Sequence, residues 1–166
     1  MRILLLSFTI VALVAQDGTH SKFAMEFEKR WSKTRKMAVG VAEAMPAEQY
    51  AFKPDPPTMT FGEQMLHLVQ TNRAFCAGLK DVKVPALPEA TEKAAIVKQL
   101  GESFDYCSGI IASVTDEQMD KTHKSPDGVL NGRELLLALY VHLAHHRGQA
   151  EVYLRIKGIQ PPPYVF

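Results

Sequence analysis

Apolar residues recur along most of the chain at three- and four-residue steps, the period of a helix that buries one face. The first such stripe is Phe23, Phe27, Trp31, Thr34, Ala38, Val41 and Met45, and it predicts a helix over roughly 21–44. Glu26, Glu28, Lys29, Lys33, Arg35 and Lys36 mostly cover its other side. "MPAEQYAFKPDPPTM" then ends it, because Pro46, Pro54, Pro56 and Pro57 cannot continue a helix interior. A second helix opens at "TFGE", where Thr60 and Glu63 have the spacing of a capping box, and reads on to about Leu79. "KDVKVPALPEA" is a connecting loop. Ala95, Ile96, Leu100, Phe104, Cys107, Ile110 and Ile111 mark a third helix over about 91–114.

"KTHKSPDGVL" reads as a loop with a Pro-Asp-Gly turn. Asn131, with Glu134 three residues on, then caps a fourth helix that continues to about Lys157. Gly158 supplies its stop, and "QPPPYVF" is an extended tail. With almost no strand signal, four long amphipathic helices predict an all-α four-helix bundle.

The fourth helix interrupts its stripe in the middle. With His142 at zero and about 100° per residue, Leu135 lies near +20°, Leu139 near +60°, His146 near +40°, Gln149 near −20° and Tyr153 near +20°. His145 falls at the edge, near −60°. The expected inward face is therefore apolar at both ends and polar between. Two buried imidazoles without partners are costly. Histidines at i and i+4 can share one ion. The glutamate of the HExxH motif is absent, so this is not a zincin. A third ligand must come from elsewhere. His20 lies beside the N-terminal segment and His123 in a polar loop, whereas His67 lies on the second helix among Thr60, Glu63, Gln64, Thr71, Ala74 and Gly78. His67, His142 and His146 would form a three-histidine site with open positions, the catalytic pattern. The competing reading is a hydrogen-bonded histidine pair on a half-exposed face. His145 and Gln149 read as supports for ligands or substrate, with His145 also fitting an ordinary surface position. Glu63 is a candidate base, or simply half of the capping box. Arg147 and Glu151 read as a surface pair. Gly148 in mid-helix is expected to let a helix or substrate come close.

Composition narrows the class. The net charge is +1 with 22% charged residues, so no basic surplus points to nucleic acid. "MRILLLSFTIVALVAQDG" places Arg2 before an apolar run from Ile3 to Ala15, the plan of a signal peptide. The run is about 13 residues, short of the roughly 20 of a membrane span. Residues 1–15 are thus expected to be removed, leaving 16–166 as one nearly neutral domain, periplasmic or secreted, with no stable membrane insertion. An uncleaved anchor is the alternative. The two cysteines, Cys76 and Cys107, read as buried thiols, although an exported domain can oxidise them.

Three stretches, "FKPDPPTMTFGEQMLHL", "HLAHHRGQAEVYLR" and "GIQPPPY", occur in that order and span most of the chain beyond the first helix. Together they make the chain similar to the DinB family of four-helix-bundle metalloproteins. The resemblance implies a left-handed, up-down-down-up bundle. It also implies a divalent metal, zinc or nickel, on the positions of His67, His142 and His146. For activity it implies hydrolysis or thiol transfer on a small molecule, since some relatives are S-transferases using bacillithiol or mycothiol and others resemble maleylpyruvate isomerase. Export sets this chain apart from transferases that use cytoplasmic thiols. A metal-binding module without turnover is the alternative, and a homodimer is compatible with the helical stripes. The implied topology runs the second and third helices parallel. Cys76 and Cys107 would then lie at similar heights, where a disulfide becomes geometrically allowed.

Overall fold

The computed structural model describes residues 20–125 and 128–165. The segment expected to be a signal peptide lies outside the described residues. Helix α1 spans Lys22–Ala44, α2 Phe61–Leu79, α3 Lys93–Ile111, α4 Asp116–Asp120 and α5 Gly132–Ile156. A single 3₁₀ turn, Ala47–Gln49, follows α1. The four long helices are those the periodicity predicts. The starts of α2 and α5 are held as the sequence indicates: the Thr60 hydroxyl accepts from the Glu63 N–H, and Asn131 Oδ1 accepts from the Glu134 N–H at 3.0 Å. At each end the glutamate closes the box by accepting from the cap residue's own N–H. Removing such a cap costs about 1 kcal/mol.

Two elements were not expected. Thr115 and Gln118 form a third capping box, which starts the five-residue helix α4 and buries Met119. The stretch expected to be a loop is a hairpin, with β1 (Thr122–Ser125) antiparallel to β2 (Gly128–Asn131) and His123 opposite Leu130. Strands of four residues are too short for their alternation to stand out from a polar turn. The hairpin is anchored by His123, which is buried with Nδ1 3.4 Å from Asp81 Oδ1 at the end of α2.

Cross-helix contacts establish the topology. Between α2 and α3, Asn72 meets Ser103 and Cys76 meets Cys107, so the partners advance together and the helices run parallel. Between α1 and α3, Glu28 meets Ser108 while Glu43 meets Lys93, so these helices run antiparallel. Gln64 meets Gln149 while Gly78 faces Leu135, so α2 and α5 are antiparallel as well. Phe27–Tyr140 and Arg147–Met37 make α1 and α5 parallel. The order is therefore up, down, down, up. At the centre lies Trp31, fully buried, its ring 4.7 Å from Phe104 and its Nε1 donating to the Phe104 carbonyl.

The cysteines, read from the sequence first as thiols, form a disulfide with a Cα–Cα distance of 5.4 Å. Only parallel α2 and α3 bring residues of equal depth together. The bridge closes a loop between positions 31 residues apart, which contributes about 3–4 kcal/mol by constraining the unfolded chain. Cys76→Ser/Cys107→Ser is expected to keep its helical circular dichroism and lose about that much stability in urea unfolding, as is the wild type in reductant.

Candidate metal centre

Antiparallel α2 and α5 bring His67 against His142 and His146. The three residues each offer a ring nitrogen, all within 4.8 Å of one another. Nε2 of His67 lies 3.1 Å from Nε2 of His142, across 75 positions of sequence. The His146 ring sits 4.5 Å from that of His67 and 4.4 Å from that of His142. Two nitrogens bound to one zinc ion at 2.0–2.1 Å in tetrahedral geometry stand about 3.3 Å apart. The His67–His142 separation is close to that value, so the donor set fits a small divalent cation.

The histidines sit at the margin of the core. The residues that α5 buries are Gly132, Leu135, Leu136, Leu139, Leu143, Ala150, Tyr153 and Leu154. Their mean direction lies about 75° from His142, so the helix is turned from the orientation its polar stripe suggested. His142 and His146 are half-buried instead of central, and His145 is exposed. This places the ligand set on the wall of the bundle, where a ligand can reach it.

One residue that the sequence did not single out organises the site. Gln64, one turn before His67, is only 3% exposed. Its Oε1 lies 2.7 Å from Nδ1 of His146. An amide oxygen only accepts, so Nδ1 carries the hydrogen and Nε2 keeps the lone pair that a metal needs. Gln64 Nε2 donates to Gln149 Oε1 at 2.8 Å, and Gln149 Nε2 in turn donates to Nε2 of His145 at 2.8 Å. The chain His146–Gln64–Gln149–His145 thus runs from the cluster to the surface with every donor facing an acceptor. Gln64 shares the polar face of His67, and a glutamine buried at i−3 from a ligand was the available signal.

Electrostatics favour the neutral, metal-binding form. Burial lowers the proton affinity of His67. For His146, burial and then the charges that its neighbouring histidines would carry bring the pKa down to about 4. Glu63 is placed in the cap: the Thr60 N–H donates to its Oε2 at 2.7 Å. The hydrogen bonds from Thr60 hold this exposed carboxyl below its ordinary range, which disfavours it as a base.

A cleft of about 460 Å³ opens beside the cluster, between α2, α5 and the proline-containing segment that precedes α2. Gln64, His146 and Gln149 line it together with Met59, Val152 and Tyr153. That segment is fastened to α5 by Tyr153, whose hydroxyl donates to the Met59 carbonyl at 3.0 Å, and by Lys157, whose ammonium lies 3.7 Å from the Phe52 ring centre. A larger groove of about 810 Å³ lies between α1 and α5, but none of the three histidines lines it, whereas His146 lines the smaller cleft. Arg147 is not the surface residue expected. It is mostly covered, 3.4 Å from Glu151 and 5.5 Å from the Tyr164 ring, under the C-terminal tail. At Gly148 an added Cβ would meet nothing within 4 Å among the described residues, so no helix makes the close approach expected there.

Gln64→Leu is expected to weaken metal binding 10- to 100-fold with the fold intact, read by chelator competition. A pH dependence follows from His146. Its folded-state pKa of about 4 lies below the ordinary 6.5, so between those values the unfolded chain binds more protons. Stability of the metal-free protein is expected to be full above pH 6.5 and to fall as the pH drops toward 4. The fall should be smaller in His146→Asn, as measured by urea unfolding in chelator.

Relatives carry the same architecture. The protein YjoA of Bacillus subtilis strain 168 is 24% identical over 129 residues, covering 75% of this chain and 84% of YjoA. The crystal structure of YjoA, a DinB-like protein, superposes with a TM-score of 0.74 at 21% identity over 84% of this chain and 96% of that one. A DinB-like protein from Bacillus cereus ATCC 10987 also gives 0.74, at 18% identity over 85% and 97%. The sequence profile of the DinB superfamily matches residues 30–150, from the middle of α1 through most of α5, and the chain belongs to that superfamily.

Proposed function

We propose that this protein is an exported metalloenzyme that holds one divalent ion on His67, His142 and His146 and acts on a small molecule in the adjoining cleft. The observation that carries this reading is the convergence of three imidazoles from two antiparallel helices, with the tautomer of His146 set by a buried glutamine. A bound zinc or nickel ion would supply Lewis acidity, lowering the pKa of a water or a substrate thiol for hydrolysis or thiol transfer.

The protein's own groups do the rest. His67 and His142 face each other from α2 and α5, so the site needs both helices in register. Gln64 orients His146, and Gln149 and His145 orient Gln64. The cleft supports an enzyme over a metal-storage module, because His146 lines it and leaves room for a reactant beside one of the three ligands. Export is supported by the Cys76–Cys107 disulfide, a bond that persists in oxidising compartments and is rare in the cytosol.

Elemental analysis of the purified protein is expected to find about one zinc or nickel ion per chain, lost in His67→Ala and His142→Ala with helical content unchanged. A metal-free wild type, or retention of the ion in His67→Ala, would overturn the reading. Mass analysis of the protein from its native host should show a chain beginning near Gln16.

A further inference from the structure

We infer that the cleft lined by His146 receives the uncharged, apolar body of its substrate, in place of a sugar, a phosphate or a carboxylate-bearing thiol cofactor. This inference rests on the metal-site reading for the substrate's head and on the cleft walls alone for its body.

The walls carry the argument. Pro57, Met59 and Val152 are apolar, and no acidic side chain, lysine or arginine is among the residues that line the cleft. Every polar side chain that lines it already has a partner inside the protein. The Thr58 hydroxyl donates to the Asp55 carbonyl at 2.7 Å, and the Tyr153 hydroxyl donates to the Met59 carbonyl at 3.0 Å. Gln64 and Gln149 hold each other, and their remaining contacts go to His146 and His145. A charged or polyhydroxylated body entering this cleft would leave water and find apolar carbons and polar groups that are already paired, which is unfavourable. An alkyl or aromatic body loses nothing and buries its surface. The volume, about 460 Å³, lies within the range of small-molecule sites. Discrimination by such walls acts on the body only, because an ion on the histidines would attract an anionic head whatever follows it.

Two probes with the same metal-binding head separate these effects: hexanohydroxamic acid, and adipic acid monohydroxamate, which ends in a carboxylate. Titration calorimetry on the metal-loaded protein is expected to show the first binding at least tenfold more tightly. Val152→Lys, which sets an ammonium on the wall, is expected to bring the two together or reverse them. Methyl NMR of the metal-free protein reads the walls independently: the apolar probe should shift the Met59 and Val152 methyl signals at concentrations at least tenfold below those the carboxylate probe needs. Equal binding of the two probes by wild type in either measurement would overturn this inference. Failure of the metal reading would show separately, as an absence of metal in elemental analysis, and the NMR comparison would still decide the character of the cleft.

Discussion

Two ring nitrogens, Nε2 of His67 and Nε2 of His142, face each other at 3.1 Å on the wall of the bundle. When one ring carries its hydrogen on Nε2 and the other accepts it, this is an ordinary hydrogen bond between neutral imidazoles; with both lone pairs turned inward, the two nitrogens need a proton or a cation between them. A shared proton satisfies two such nitrogens, and a cation satisfies three. The third nitrogen comes from His146, whose hydrogen is committed to Gln64 on the opposite side of the ring. The site thus couples the local chemistry of three rings to the relative position of α2 and α5, and anything that shifts one helix against the other disturbs it.

The rest of the molecule restrains that shift. Parallel α2 and α3 are locked by the buried disulfide and by Asn72 Nδ2 donating to Ser103 Oγ at 3.1 Å. On its far side, α3 holds α1 through Trp31 and Phe104. The start of α5 is attached to the hairpin and α4, where Arg133 pairs with Asp120 and Gly132 leaves no room for a Cβ against Met119. A covalent bridge matters more here than in a larger protein, because a chain of this length buries a smaller share of its surface on folding. The same bridge ties compartment to stability, since a reducing environment would remove part of what aligns α2.

Local features were legible in the sequence because their causes are local. The three- and four-residue periods placed the long helices, and the capping boxes at Thr60 and Asn131 placed two starts to the residue. The spacing of His142 and His146 and the polar face around His67 pointed to one cluster, and the cluster forms. The family resemblance supplied the chain order of the bundle, which periodicity alone does not contain.

Other features depended on contacts between distant elements. A helix's period states that it has a buried face, but its rotation is chosen by what it packs against. The leucines of α5 outweigh its histidines, so the polar stripe is turned to the wall and becomes reachable. The disulfide needed two helices to run the same way, Arg147 was covered only once the tail crossed it, and the hairpin needed His123 to find Asp81. Gln64 shows the division most clearly. Its position on the His67 face was readable, but its role rests on a hydrogen bond to a residue 82 positions away, and only the packing of α2 on α5 decides that bond.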